Sequence, residues 1–295
     1  MLPLVVDAVL ARVAACPEIP VGRAACRLAE VLRPVMQSAW PEVALAFSRL
    51  TNTGVPVEFA WTSRDPSLRW TAEVAPPEVP EGSRVERAFA TASMSGAAAP
   101  WVALQHGGRL HYGAWVGMRH SEDSDVSKVY VELPSGRLPQ DWRRRHLLLA
   151  GMHQQWRMAG VGPAGATEFY ARVYDMDPAL LQSMERSAFG RTGCWIDAIA
   201  RLLGRSELPR PSGVSLAFNP DGEPCALTWF AAAKALFRDD DATQAALLRQ
   251  AGDDQGKALL CALSGGTPDG RWRHGMVGVG VDHHESTWVQ VGIRP

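Results

Sequence analysis

The spacing of apolar residues changes period along the chain. In "VEFAWTSRDPSLRWTAEV", residues 57–74, apolar and polar positions alternate about a short turn. Val57, Phe59 and Trp61, then Leu68, Trp70, Ala72 and Val74, share one face. Glu58, Ala60 and Thr62, then Arg69, Thr71 and Glu73, share the other. Period two around a turn predicts a β-hairpin. The pattern returns at about 101–133, from 167 onward in "TEFYARVYDM", at 213–231 around "NPDGEP", and in "MVGVGVDHHESTWVQVGIRP". Between these stretches, apolar residues at helical spacing predict helices at about 3–15, 21–38, 83–95, 139–159, 193–204 and 240–263. Ser83 followed by Glu86 reads as a capping box, and Pro139 as a first-turn proline. "DPALLQSMERSAF" also reads as helix, which leaves the second strand of the third hairpin undefined.

Strand parity then decides which way the sheet faces. In "SKVYVEL", Val129, Val131 and Leu133 alternate with Lys128, Tyr130 and Glu132. In the last hairpin Val277, Val279, Val281, Val289, Val291 and Ile293 oppose Met276, Gly278, Gly280, Trp288, Gln290 and Gly292. An antiparallel sheet covered on its apolar face by helices must turn its polar face elsewhere. Closing about ten strands on themselves points those polar faces at one another. The expected fold is therefore α+β: a closed antiparallel barrel of about ten strands, built from repeated αββα units, with helices outside and a polar lumen. A short Pro/Glu-rich link, "APPEVPEGS", precedes the helix near 83–95, but no long linker or low-complexity segment splits residues 1–295, so one domain is expected.

Composition narrows the function classes. Hydrophobic residues at 46% and charged residues at 21% allow a large core. A formal net charge of −1 gives no electrostatic case for nucleic acid or an anionic membrane. Cys16, Cys26, Cys194, Cys225 and Cys261 are odd in number and contain no CxxC pair, which points to a reducing, cytoplasmic setting. "VAAC" at 13–16 has the look of a lipoprotein cleavage box, but Asp7 and Arg12 interrupt the apolar run. A cytoplasmic monomer is expected.

Three groups on the inward faces carry candidate chemistry: Glu58 with Arg69, Lys128 with Tyr130, and Tyr170 with Arg172 and Tyr174. The bland alternative for each is a solvated face, with Lys128–Glu132 or Arg69–Glu73 as surface ion pairs worth under about 1 kcal/mol. Repetition in three hairpins favours a converging site. Guanidinium, ammonium and phenol donors in one lumen suit a multiply charged anion such as a diphosphate. Aromatic faces beside them stabilise a carbocation and exclude water.

With these residues in place, the chain resembles the prenyltransferases of the αββα (ABBA) barrel type over essentially its whole length. Glu58 and Arg69 match the Glu and Arg that the indole branch carries on its first two strands. Lys128-Val129-Tyr130 looks like its Lys-x-Tyr strand, and Tyr170-Ala171-Arg172-Val173-Tyr174 like its Arg-x-Lys-x-Tyr strand. Tyr170 stands where the first basic residue is expected, and Arg119 would replace a missing lysine. In length and in "GMRHSEDSDVSKVYVEL" the chain is most similar to prenyltransferases that modify ribosomal peptides of the cyanobactin type.

The resemblance implies transfer of a dimethylallyl group from its diphosphate to tryptophan or another nucleophilic side chain of a peptide. Arg69, Arg119, Lys128 and Arg172 would hold the diphosphate, with no cofactor and no Mg2+ required. Tyr130, Tyr170, Tyr174, Trp115 and Trp288 would shield the cation. Glu58 would serve as base, ionised beside Arg69. A small aromatic acceptor, such as free tryptophan or a phenol, is the alternative within the enzyme reading. A ligand-binding barrel without chemistry is the alternative outside it.

Other features are expected to be structural. Adjacent histidines in "DHHE" (282–285) would point to opposite faces of a strand, and the segment sits where a hairpin turns. "RDDDAT" (238–243) has the wrong spacing for a metal-diphosphate motif and suits a helix N-terminus. "GGTPDG" lacks the lysine of a phosphate-binding loop, nothing links Cys194 to His153, and "WRRRHLLL" (142–149) reads as a solvated basic face that would otherwise meet an acidic peptide leader. Trp61, Trp70 and Trp229 fall on apolar faces and are expected to pack.

Overall fold

A computed structural model describes residues 2–134, 154–266 and 270–295. Its centre is a closed antiparallel barrel: β1 (Val57–Thr62), β2 (Leu68–Glu73), β3 (Ala114–His120), β4 (Asp125–Glu132), β5 (Gln154–Val161), β6 (Thr167–Val173), β7 (Ser212–Phe218), β8 (Pro224–Ala232), β9 (His274–Asp282) and β10 (Thr287–Ile293). Each strand pairs with its sequence neighbours, and β10 closes onto β1 with Trp61 opposite Val291. Closure leaves no unpaired edge. Five hairpin turns gather at one rim, the turn rim. At the opposite rim the chain leaves for the helices.

The period-two alternation has the consequence expected of it. Phe59, Trp61, Trp70 and Trp229 point outward and are buried beneath helices. Helix Val21–Met36 lays Ala24, Leu28, Val31, Leu32 and Val35 against this surface. Burying each leucine contributes roughly 1.5–3 kcal/mol relative to exposure. Two indoles also tie helices to the wall: outward Trp61 donates to the helical Gly256 carbonyl at 2.8 Å, and helical Trp195 donates to the Val279 carbonyl of β9 at 2.8 Å. Helix Cys194–Leu203 ends where expected, at Gly204 in a left-handed conformation (φ 65°).

Several expectations change. The helix expected near 139–159 overran a strand, because β5 begins at Gln154; residues 135–153, including Pro139, "WRRRHLLL" and His153, lie outside the described residues. β5 resolves the undefined third hairpin, since β6 is its second strand rather than its first. "QQWRMAGV" carries one more residue than strict alternation allows, and the ladder bulges between Trp156 and Met158. The front of the second hairpin is a helix, Ala99–Gln105. The helix expected at 240–263 is two, Asp240–Leu248 and Asp254–Ser264, each N-capped by an aspartate (Asp239 and Asp253). Ser83 makes no side-chain cap hydrogen bond, so the capping box does not form.

Candidate active site

Two residues apart along a strand means the same side, so parity alone brings Glu58, Arg69, Arg119, Lys128, Tyr130, Glu168, Tyr170, Phe230, Trp288 and Gln290 to the lumen face. Toward the turn rim, Arg69 and Arg119 are direct cross-strand neighbours. Arg69 donates through Nη2 to Asp65 Oδ2 at 2.5 Å, and its Nε is buried without a hydrogen-bond partner. Burial raises the Asp65 carboxyl, but Arg69, the Ser67 donors and Arg119 outweigh it and hold it below the usual range. Arg119 is exposed and makes no hydrogen bond or ion pair with the described residues.

Lys128 and Tyr130 follow on β4. The Lys128 ammonium forms an ion pair with Glu168 of β6 and lies 3.4 Å from the Tyr170 hydroxyl, between the Tyr130 and Tyr170 rings (5.5 and 5.7 Å to their centroids). Glu168 accepts a second hydrogen bond from Ser215 of β7. Burial works against charge on both partners, yet each holds the other ionised: the Lys128 pKa rises and the Glu168 pKa falls. The Tyr130 and Tyr170 rings meet edge-on at 6.1 Å, and Tyr170 meets Phe230 at 6.0 Å. These three rings form a continuous aromatic arc.

Arg172 and Tyr174 sit apart from this group. They lie at the helix-rim end of β6, where Arg172 is exposed beside Gln155 and Gly213, with its guanidinium 5.2 Å over the Tyr174 ring. Trp115 is also occupied: it stacks on Tyr112 at 3.9 Å and donates to Glu73 Oε1 at 2.9 Å. Tyr112 precedes β3 and is not on a strand. Trp288 lies under the Arg64 guanidinium (4.7 Å) and donates to Gln290 Oε1 at 3.2 Å.

Glu58 is opposite Thr71, whereas Arg69 is opposite Ala60 and turned to Asp65. The expected Glu58–Arg69 pair therefore does not form. With no counter-charge, burial pushes the Glu58 carboxyl up to about 8. The surface pairs of the alternative reading, Arg69–Glu73 and Lys128–Glu132, do not form either. Glu73 binds Arg84 at 2.9 Å and Ser48 at 2.7 Å, while Glu132 accepts from the backbone N–H groups of His111, Tyr112 and Gly113.

The inward side chains lie flat because glycines sit beneath them. A Cβ on Gly117 would come within 2.8 Å of the Tyr130 ring, and one on Gly278 within 2.7 Å of Phe230. Gly160 seats the Lys128 stem and Gly280 the Trp288 ring in the same way. A Cβ on Gly292 would lie 2.7 Å from Glu58 Cδ. The lumen thus has a cationic and phenolic side from β2 to β6, and a glycine-floored side from β8 to β1 that carries Glu58.

Sequence reasoning passed over Asp65, Glu168, Ser215 and Phe230. Glu168 shares the parity of Tyr170, and Phe230 is one residue from an outward Trp229, so the alternation that exposed the others contains them too. Near "DHHE", Asp282 ends β9 and both histidines fall in the turn. Among the described residues no three His, Cys, Asp or Glu side chains are grouped to hold a metal, and no helix is long and apolar enough to cross a membrane.

No protein-family model matches the sequence, and no curated protein matches it either. Solved structures do. The 5-dimethylallyl tryptophan synthase from Streptomyces coelicolor, in complex with DMASPP and Trp, superposes with a TM-score of 0.80 at 15% identity, covering 98% of this chain and 93% of that one. The prenyltransferase PriB in its apo form gives 0.76 at 16% identity, over 98% and 94%. AnaPT from Neosartorya fischeri gives 0.69 at 10% identity, over 98% and 92%. The chain has the ABBA prenyltransferase fold, a ten-strand antiparallel barrel ringed by helices.

Proposed function

We propose that the chain transfers a dimethylallyl group from its diphosphate to the indole ring of tryptophan, either free or within a ribosomal, cyanobactin-like peptide. The observation that carries this reading is the segregation of the lumen: Arg69, Arg119 and Lys128 converge beside the Tyr130–Tyr170 arc, and Glu58 faces them from the glycine-floored side. The same barrel in the S. coelicolor synthase holds DMASPP and Trp together.

Ionisation of an allyl diphosphate develops negative charge on the departing oxygens and positive charge on the allyl carbon. Arg119, free of a carboxylate partner, and Arg69, through its unpaired Nε, donate to the former. The ring faces of Tyr130 and Tyr170 stabilise the latter and keep water from it. Protein cations do this work in the proposed mechanism, without a need for Mg2+. The acceptor ring then attacks, and its N–H grows more acidic as positive charge enters the indole. A carboxyl poised near 8 at Glu58 accepts that hydrogen bond more strongly as the charge develops, so it favours the transition state over bound substrate.

Incubation with dimethylallyl diphosphate and tryptophan, a tryptophan peptide or a tyrosine peptide, with and without chelator, tests the reading by mass. Addition of one C5H8 unit to an indole acceptor, unaffected by chelation, is expected. Donor binding without transfer to any acceptor would replace the enzyme with a ligand-carrying barrel.

A further inference from the structure

Two lumen carboxyls, Glu58 and Glu168, are in opposite electrostatic situations. Glu58 makes no hydrogen bond or ion pair with the described residues, whereas Glu168 accepts from donors on two strands, Lys128 on β4 and Ser215 on β7. The same Lys128 ammonium lies 3.4 Å from the Tyr170 hydroxyl, which brings phenol and carboxylate together at one cation. Tyr130 completes the group, because its ring meets that of Tyr170 edge-on at 6.1 Å and Lys128 lies over both. Gly160 of β5 contributes no charge there, and Cys225 of β8 is the remaining ionisable group that senses Glu168. The two phenols of the aromatic arc therefore share with Glu168 a single cation, Lys128.

We propose that Glu168 is the terminal acceptor of the proton released from the prenylated ring, reached through the Tyr170 hydroxyl. The inference rests on the prenyl-transfer reading above. After the new carbon–carbon bond forms, the ring C–H bond at the attacked carbon breaks and its electron pair restores aromaticity. The Tyr170 oxygen takes that proton as its own O–H proton passes to Glu168. One neutral phenol, one protonated carboxyl and one prenylated acceptor result, so charge and atoms balance.

The timing of this transfer follows from Lys128. In the empty lumen its ammonium neutralises Glu168 and makes it a weak base. Once diphosphate is released from carbon, Lys128 gains a multiply charged anion as a competing partner. Its withdrawal from Glu168 leaves a buried carboxylate without its counter-ion, which raises that carboxylate's proton affinity. Leaving-group capture thus switches on the base. The arrangement also explains a carboxylate in a lumen otherwise suited to anions, where it weakens diphosphate binding in the resting state.

The test is Glu168→Gln, with the acceptor deuterated at the prenylated ring position. Transfer is expected to fall about 100-fold, in the range of a lost general base. A ring-deuterium isotope effect near unity in the wild type is expected to rise to about 3 in the variant. Solvolysis of dimethylallyl diphosphate to the C5 alcohol needs ionisation but no ring proton, and is expected to persist in the variant rather than fall with transfer.

Wild-type transfer in the variant, or lost transfer with no isotope effect, overturns the proposal. Loss of solvolysis together with transfer in Glu168→Gln points instead to a Lys128 left unpaired in a disturbed lumen. In that event the double variant Lys128→Met/Glu168→Gln, which removes both buried charges, decides: restored solvolysis with an isotope effect supports the proposal, and its absence overturns it. A wild-type protein that ionises the donor but transfers to no acceptor refutes the parent reading instead, and is recognised before any variant is made.

Discussion

Glu58→Gln is expected to abolish the proposed prenyl transfer and stabilise the protein, with a gain that depends on pH. Burial without a counter-charge raises the carboxyl from 4.5 to about 8. Since the folded value lies above the unfolded one, the neutral form is favoured by folding, and that contribution is intact below about pH 4.5. It is lost progressively as pH rises and fully lost above about 8. At about 1.4 kcal/mol per pH unit, a rise of this size corresponds to roughly 5 kcal/mol. Lumen water reaches the side chain and screens it, so about 2–3 kcal/mol is the expected penalty in the ionised state. Glutamine keeps the shape and carries no charge, so the variant escapes this penalty while the other groups titrate equally in both proteins. Urea unfolding of wild type and variant at about pH 4, 7 and 9 reads the difference directly. Coincident curves near pH 4, diverging by about 2–3 kcal/mol at pH 9 in favour of the variant, are expected. A difference independent of pH would show that Glu58 titrates normally and would remove the electrostatic basis of its role. The same titration predicts that wild-type kcat/KM rises with pH and levels off above about 8.

Three further outcomes follow from the geometry. Arg119→Ala should weaken donor binding roughly 10- to 100-fold through loss of a charged hydrogen bond, whereas Arg172→Ala, at the exposed helix rim, should change donor KM less than about twofold; equal losses would return Arg172 to the diphosphate site. Gly292→Ala introduces a methyl 2.7 Å from Glu58 Cδ, so transfer should drop about 100-fold with the circular dichroism spectrum unchanged. Glu73→Gln should destabilise by about 3–5 kcal/mol in urea, because it strands the buried Arg84 guanidinium; a smaller loss would mean that Arg84 reaches water.

The barrel was legible because alternation is a local signal. Val57 to Val74 alternates so cleanly that face, register and closure follow from one hairpin repeated. Where the signal was not local, the reading was incomplete. β5 escaped notice because its bulge at Trp156 breaks period two and its apolar residues also fit a helix. The pairing of Glu58 with Arg69 was inferred from adjacent strands, but which carboxylate a guanidinium meets depends on the turn, and Asp65 in that turn is closer. Arg172 looked equivalent to Lys128 because parity gives the side of a strand and not the height along the barrel. Glu168 was hidden by its type: a search for anion-binding groups passes over an acid. The sequence similarity to solved relatives is 10–16%, so the ladder pattern carried the fold where residue identity did not.

The glycines beneath Tyr130, Lys128, Phe230, Trp288 and Glu58 also bear on how such a barrel diversifies. Each governs how far a neighbouring side chain projects into the chamber, yet none of them is a contact residue itself. A methyl at any one would push its tenant toward the axis, least at 117 and 278 and most at 160 and 280, without changing the chemical identity of the side chain displaced. Chamber shape is thus adjustable from the wall, at positions that a scan of contacting residues never samples. A library restricted to residues 278 and 280 would explore chamber shape through Phe230 and Trp288 while leaving Glu58 and Lys128 in place.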